Sequence, residues 1–322
     1  MRLGFERVSV VVPSVERAAD DGPMRSGSSR AWRTLRRNPM FWVGAVLAVG
    51  MIGAAVLAPV IAPYDPFEPF RDAIASNGDP TGPSERFPLG VDASGRDYLS
   101  RLLYGARTSL AIGIGATLMA SVLGLLVGAT AALAGRPRIR LPFGRGIGIP
   151  VESLLMRFTD LWLSFPVLLL TITLAFVLGA SESLVAIIIG LTLWTSTARI
   201  MYGRVLVLRE SDFVDASRAL GASTSRIFLR HLVPHLAPLL VVYASLGIAT
   251  AVLFESTLSY LGAGVPPPTP TWGTMLAEYL DYLATDPRLV LLPGLCITVT
   301  VLAFNLLGDA LRDALDPRGW RT

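Results

Sequence analysis

The chain of 322 residues contains no lysine, one cysteine and two histidines, and only 16% of its residues are charged. Without lysine it has no phosphate-binding loop of the Gly-Lys-Ser/Thr type, so we expect no nucleotide hydrolysis by this chain. The single cysteine, Cys296, excludes an internal disulfide, and its apolar surroundings favour a small core residue. His231 and His235 lie four residues apart but have no evident third ligand, so we expect no metal site.

Apolar residues are abundant: they make up 52% of the chain, and the mean hydropathy is +0.56. These values exceed what the core of a soluble domain requires. Six stretches approach the roughly 20 residues that cross about 30 Å of hydrocarbon. They lie at about 40–62, 108–134, 154–178, 184–202, 235–261 and 289–308. The sequence therefore predicts an all-α integral membrane protein with six transmembrane helices.

The arginines are distributed unevenly between the two sides that six spans define. The termini and the even-numbered connections carry 22 of the 28 arginines, and the odd-numbered connections carry six. Because arginine-rich segments stay inside the cell, we expect both termini to be cytosolic. We expect residues 1–38 to form a disordered cytosolic tail and residues 39–322 to form the membrane domain, with an outer loop at about 63–107 and a cytosolic loop at about 203–234.

The cytosolic loop contains the segment "DASRALGASTSRIFLRHLVP", residues 215–234. Asp212 and Asp215 favour the start of a short helix, and Gly221 can end it with a positive φ angle. Ser223 or Thr224 can cap a second short helix, which we expect to end before Pro234 at the entry to the fifth span. Small side chains on this segment would let another protein approach its backbone. An ordinary amphipathic linker is the alternative.

This segment resembles the coupling loop of importer permeases of the ATP-binding cassette class. Their pattern is Glu-Ala-Ala, three residues, Gly, nine residues and a hydrophobic tripeptide that ends in proline. Here Asp215, Ala216 and Ser217 occupy the first three positions, followed by Gly221 and the tripeptide 232–234. The segments 87–110, 156–166 and 254–276 are similar to the dipeptide, oligopeptide and nickel branch, and the long first outer loop is typical of its C-type subunit.

The resemblance implies a type I importer permease fold in a bacterial plasma membrane. It implies a heterodimer with a second permease subunit, two ATPase subunits and an extracytoplasmic solute-binding protein, with no cofactor, catalytic residue or nucleic acid bound by this chain. The substrate would be a di- or oligopeptide, with nickel or another small solute as the alternative. The coupling residues that it implies are Asp215, Ala216, Ser217, Ala219, Leu220, Gly221, Ala222, Ser223, Arg226 and Pro234.

Two acids lie within predicted spans, where a charge costs roughly 2.5 to 3.5 kcal/mol on insertion scales. For Asp160 we expect an ion pair with Arg157 at the membrane boundary. Glu255 lies in "FESTLSY", where Ser256 and nearby hydroxyls can donate hydrogen bonds. Asp160, Glu255 and Ser256 are therefore candidates for the translocation path or a subunit interface, and for Glu255 both a structural role and a substrate contact are open.

The outer segments indicate two elements at the membrane interface. Residues 98–103 have the spacing of an amphipathic helix, and Trp272 follows a stiff proline-rich turn. A secondary transporter would need its own coupling-ion site and commonly an internal repeat, and neither is visible. A channel or a membrane scaffold would account for the spans but not for the spacing of the coupling-loop pattern.

Overall fold

A computed structural model describes residues 27–75, 79–134, 138–140, 146–148, 150–179 and 181–315. The helices in this part of the chain are α1 Gly27–Arg37, α2 Pro39–Ile61, α3 Tyr98–Leu133, α4 Val151–Leu163, α5 Val167–Leu178, α6 Glu182–Leu208, α7 Asp212–Ala219, α8 Thr224–Ile227, α9 Val233–Tyr260, α10 Trp272–Tyr279 and α11 Arg288–Leu315. Two strands, β1 Arg138–Arg140 and β2 Gly146–Gly148, pair antiparallel with residue 139 opposite 147. The predicted all-α class is confirmed, with this short hairpin as an addition.

Five helical segments are long and apolar enough to cross a membrane: α2, α3, α6, the continuous run Thr224–Tyr260, and α11. The remaining candidate is the pair α4 and α5, which meet at an angle of 87°. Aromatic contacts place α4 beside Trp194 of α6, and Thr171 of α5 lies beside Thr192. Counting the pair as one span gives the six that the sequence predicts.

The third span was predicted as one continuous helix, 154–178, and this is wrong. It breaks at residues 164–166, between the end of α4 and the start of α5. Pro166 has no N–H to continue the helix, and its ring disfavours helical backbone in the residue before it.

Helix α3 is the central element, and it packs closely against α6 and α9 through glycines. A Cβ atom at Gly128 would lie 2.4 Å from the carbonyl oxygen of Ala198, and one at Gly124 would lie 2.5 Å from the side chain of Thr197. Gly113 makes a comparable approach to Val252 of α9. Small residues permit such approaches between membrane helices, where packing replaces the hydrophobic effect as the source of stability. These contacts place α6 parallel to α3 and α9 antiparallel to it.

The first and last described helices lie at the same end of the bundle as α7. Leu35 of α1 packs against Ala310 and Ala314 of α11. Helix α11 runs antiparallel to α9, with Gly308 against Leu246, so its C-terminal end lies near the start of α9. We call this end the α7 end. The opposite end carries the segments 62–97 and 262–287, which we call the cap.

The cap is held together by a buried polar network. The carboxylate of Asp92 accepts hydrogen bonds from Arg96 and from the hydroxyl of Tyr279, and Arg101 donates to Glu278 at 2.8 Å. Asp92, Arg101 and Tyr279 are almost entirely buried. Burial raises the pKa of the Tyr279 phenol above its usual range, so this side chain remains a neutral donor. The network joins the cap residues that precede α3 to α10, so the two segments of the cap form one unit.

Several boundaries differ from the sequence predictions. Residues 27–37, predicted as part of a disordered tail, form α1, because Leu35 has a packing partner on α11; residues 1–26 and 316–322 lie outside the described part. The predicted interfacial helix at 98–103 is the first part of α3, which begins ten residues earlier than expected. Its Tyr98 is buried beneath the cap. Trp272 is fully buried rather than interfacial, and its indole N–H donates to the carbonyl of Leu102.

Pro234 does not separate a short helix from the fifth span. Helix α8, a π-helical turn at Phe228–Leu232 and α9 form one continuous run, and Pro234 lies in the first turn of α9. The N–H of Val233 donates to the carbonyl of Phe228, five residues earlier. A π turn widens the backbone where a proline ring would clash with the carbonyl four residues before it. This widening lets the helix continue through the proline.

Candidate functional site

Helices α7 and α8 form a helical hairpin at the α7 end. Ser211 precedes α7, and Asp212 and Asp215 lie in its first turn. Gly221 ends it with a φ angle of +78°, which favours glycine because any Cβ there is strained. The hydroxyl of Ser223 accepts a hydrogen bond from the N–H of Arg226 and caps α8. The predicted first helix, the turn at Gly221 and the cap at Ser223 are confirmed, whereas the second helix continues into the fifth span.

One face of the hairpin is buried against the ends of the spans. Val214, Ile227 and Leu232 pack with Ala132 of α3 and Met201 of α6 in one apolar cluster. In addition, the guanidinium of Arg209 donates to the carbonyl of Ala132, which ties the end of α6 to the end of α3. The hairpin therefore contacts three spans: α3, α6 and α9.

The opposite face of the hairpin is open. Leu220 is 88% exposed and stands beside the turn at Gly221. Small residues surround this leucine, so the backbone of the turn is accessible on this face. Of the predicted coupling residues, Ser217 and Ala222 are half-buried, and the others are exposed: Asp215, Ala216, Ala219, Leu220, Gly221, Ser223, Arg226 and Pro234. The structure thus brings them together on one hairpin, with Pro234 on the adjoining first turn of α9.

The two histidines support the base of the hairpin. The ring of His235 stacks on Phe213 of α7, with 5.0 Å between ring centroids and 12° between ring planes. Its Nδ1 lies 2.7 Å from the carbonyl oxygen of His231. Within the described residues there is no group of three or more side chains placed to bind a metal ion. These contacts give both histidines a packing role.

Glu255 is fully buried inside this chain, at the junction of α3, α9 and α10. Its carboxylate accepts hydrogen bonds from Ser109 at 2.9 Å and Ser259 at 2.8 Å, and more weakly from Ser256 at 3.4 Å. The hydroxyl of Ser109 also accepts from the backbone N–H of Trp272, at the start of α10. Of the two roles left open by the sequence, this geometry favours the structural one.

Asp160 has a different partner from the one predicted. It forms an ion pair with Arg199 of α6 and not with Arg157 of its own helix. Both side chains of the pair are about half exposed. The pairing arises because α4 lies alongside α6, and it gives Arg199 a counter-charge within its span.

A cavity that the sequence does not predict lies between the middle parts of α3, α6 and α9. Its volume is about 220 Å³, and no charged side chain lines it. Most of its accessible surface is apolar, and six of its eleven lining residues carry a hydroxyl group. The polar groups that line it are Thr117, Ser121, Ser196, Thr197, Tyr243 and Thr250. Single hydroxyl residues in apolar helices give a weak sequence signal, because only the packing shows which of them share a cavity.

Two family models match this chain. The model described as "Binding-protein-dependent transport system inner membrane component" matches residues 124–321, more than half of the chain. The chain belongs to this family. It is a multi-pass permease subunit of a binding-protein-dependent importer. The model described as "N-terminal TM domain of oligopeptide transport permease C" matches residues 27–80 of the permease.

The permease is similar over most of its length to characterised relatives. It is 38% identical over 292 residues to the di/tripeptide transport system permease protein DppC of Pseudomonas aeruginosa, covering 89% of this chain and 91% of DppC. It is 39% identical over 287 residues to the glutathione transport system permease protein GsiD of Escherichia coli, covering 89% of each. The MetNI methionine ABC transporter, solved in inward-facing conformations, has a chain that matches with a TM-score of 0.50 at 20% identity. That match covers 67% of this permease and 96% of the MetNI chain, and it shows the fold.

Proposed function

We propose that this permease imports short peptides in an ATP-driven complex, in which it forms half of the translocation path with a second permease subunit. The observation that carries the proposal is the open hairpin of α7 and α8, with Leu220 88% exposed at its turn. Its partner would be an ATPase subunit, since the permease itself contains no lysine for a phosphate-binding loop. The relatives named for di- and tripeptides and for glutathione, itself a tripeptide, support a peptide substrate.

The hairpin is suited to couple ATP binding to movement of the spans. Its buried face packs against α3, α6 and α9, whereas its open face presents backbone and small side chains. When two ATPase subunits close on ATP, they would draw the hairpin with them and so change the relative positions of these three helices. The chemistry of ATP then requires no residue of this chain.

The cap is the candidate docking site for the external binding protein. It contains most of the acids outside the arginine-rich connections, and the Asp92 network makes it a single unit fixed to the start of α3. A binding protein that docks on the cap would thus act on the same helix that the hairpin contacts at its other end. This arrangement requires the α7 end to be cytosolic and the cap to be outside, as the arginine distribution indicates.

This orientation predicts the labelling of single cysteines. In a Cys296→Ala background, we expect Glu85→Cys in the cap to react with a membrane-impermeant maleimide in intact cells, whereas Thr224→Cys on the hairpin should react only after permeabilisation. Both positions are exposed, so accessibility of the folded chain does not limit either reaction. The reverse labelling pattern would refute the orientation and, with it, the assignment of the hairpin to the ATPase.

The proposed function is tested by reconstituting the permease with a second permease subunit, two ATPase subunits and a solute-binding protein of the same organism. We expect proteoliposomes that contain ATP, with the ATPase subunits facing the lumen, to accumulate radiolabelled di- and tripeptides. A complex with hydrolysis-deficient ATPase subunits is the control for passive leakage. ATP-dependent uptake of a nickel chelate with no uptake of peptides would contradict the peptide assignment and support the alternative substrate of the same branch.

A further inference from the structure

The cavity between α3, α6 and α9 lies in the middle of the membrane spans and presents hydroxyl groups within an otherwise apolar wall. Ser121 lies midway along the uncharged stretch that separates Arg107 from Arg136. It is only 7% exposed, lines the cavity, and makes no hydrogen bond with any described residue. The hydroxyls of Ser196, Thr197 and Tyr243 also line the cavity and are likewise unbonded within the described residues.

Several threonines elsewhere on the spans differ from these four residues. The hydroxyls of Thr173, Thr257 and Thr298 each donate to the carbonyl four residues earlier, at 2.7 to 2.8 Å. This internal bond satisfies a hydroxyl that faces hydrocarbon. Hydroxyls that forgo it in the middle of a span need a polar partner from outside the helix, because an unsatisfied polar group is costly there. The cavity therefore meets water, a solute or another polar surface.

We propose that this cavity is the half-site through which the permease contacts a peptide in transit, by hydrogen bonds to the peptide backbone. A hydroxyl both donates and accepts, so the same wall can serve the N–H and C=O groups of any peptide bond. No charged side chain lines the cavity, and consequently nothing in it selects the charge of the peptide side chains. The inference rests on the proposed peptide import and deepens it: the path reads the amide backbone and leaves side-chain selection to the binding protein.

Helices α3 and α9 approach each other closely at one wall of the cavity. Gly247 of α9 meets Thr117 of α3 at the wall, where a Cβ would lie 2.9 Å from the threonine methyl group. The hydroxyls of Thr117 and Thr250 already donate to their own helices at 2.8 and 3.1 Å, which leaves them as acceptors. The free donors are thus contributed by Ser121, Ser196 and Thr197, with Tyr243 at the side. Donors and acceptors are both present, as an extended amide backbone requires.

The first experiment removes two free hydroxyls in the reconstituted complex with its binding protein and ATPases. We expect the double variant Ser121→Ala/Thr197→Val to take up trialanine about tenfold more slowly, since each lost hydrogen bond changes binding several-fold. Subunit stoichiometry should be unchanged, which separates a transport defect from a defect in assembly. Thr298→Val is the matched control: it removes an exposed hydroxyl of α11 that is bonded to its own helix, and it should transport like the wild type. Uptake by the double variant equal to that of the control would overturn the proposal.

The second experiment introduces charge at Ser196, which is exposed within the cavity. We expect Ser196→Asp to raise the uptake of Ala-Lys-Ala relative to Ala-Glu-Ala about tenfold, and Ser196→Arg to shift the ratio in the opposite direction, as charge attraction at close range requires. Equal effects on the uptake of both peptides would overturn the proposal. Loss of the second permease subunit from the complex would also overturn it, because the cavity would then be part of the interface between the permease subunits. If the wild-type complex transports no peptide at all, the proposed function fails together with this inference.

Discussion

Replacing Leu220 with arginine should abolish most transport while leaving the permease folded in the membrane. Leu220 is 88% exposed in the isolated chain, and no packing inside the permease depends on it. In the proposed complex it is the apolar anchor of the hairpin on the ATPase. Truncating or charging such an anchor costs about 2 to 4 kcal/mol, which corresponds to a roughly 30- to 1,000-fold weaker contact. We expect uptake and peptide-stimulated ATP hydrolysis to fall together by a factor in this range.

The measurement combines transport with a pull-down of the ATPase by the permease. Leu220→Met is the control that keeps an apolar side chain, and it should retain most of the activity. Gly221→Ala separates the backbone effect from docking: a Cβ there meets open space, but the φ angle of +78° is strained for alanine by roughly 1 kcal/mol. If Leu220→Arg still bound the ATPase and transported like wild type, the hairpin would not be the coupling surface.

Features that depend on a short stretch of sequence were predictable. The spans are predictable because a helix that crosses the bilayer needs about 20 predominantly apolar residues, and such a stretch can be recognised from composition alone. The hairpin was predictable because its signals are local: acids in a first turn, Gly221 at the turn, and Ser223 as a cap three residues before its partner N–H. The resemblance to importer permeases then gave these signals a function, and the family match confirms the family.

Features that depend on packing between distant segments were not predictable. Asp160 was assigned to the nearest arginine in its own helix, but α4 lies beside α6 and brings Arg199 to it. Arg101 was placed in an interfacial helix, whereas it is buried beneath the cap and donates to Glu278, 177 residues away. No local pattern marks which faces of two helices meet. The cavity between α3, α6 and α9 was not predictable for the same reason, because its hydroxyl groups come from three separate spans.

The break in the third span is an intermediate case. Pro166 was visible in the sequence, and a proline in a predicted helix is a signal for a kink or an end. The length and the apolar composition of residues 154–178 nevertheless predict one uninterrupted span. The structure gives an 87° bend at this point, with α4 and α5 lying against successive parts of α6. Hydropathy measures the tendency to enter the membrane, and it carries no information on direction.

Replacing Glu255 with leucine should destabilise the permease, whereas glutamine should be tolerated. Leucine fills similar space but leaves Ser109, Ser256 and Ser259 without their common acceptor in a fully buried site. We expect the free energy of unfolding to fall by about 2 to 4 kcal/mol, because buried hydroxyls lose their hydrogen bonds. The loss stays in this range because some of these hydroxyls can turn to a carbonyl of their own helix. Glutamine retains one acceptor and gains a donor that a serine oxygen can accept, so its penalty should stay within about 1 to 2 kcal/mol.

The two readouts for Glu255 are thermal unfolding of the purified permease complex and the uptake of cationic and neutral peptides. A loss of about 2 to 4 kcal/mol should lower the unfolding temperature of Glu255→Leu by about 3 to 6 °C. Glu255→Gln should transport both classes of peptide in the wild-type ratio, because Glu255 lies outside the cavity between α3, α6 and α9 and its carboxylate is satisfied by serines of its own chain. A selective loss of cationic peptide uptake in Glu255→Gln, with an intact and stable complex, would instead place this carboxylate on the translocation path. The expected result assigns it to holding α3, α9 and α10 together beneath the cap, through the link from Glu255 to Ser109 and on to the backbone of Trp272.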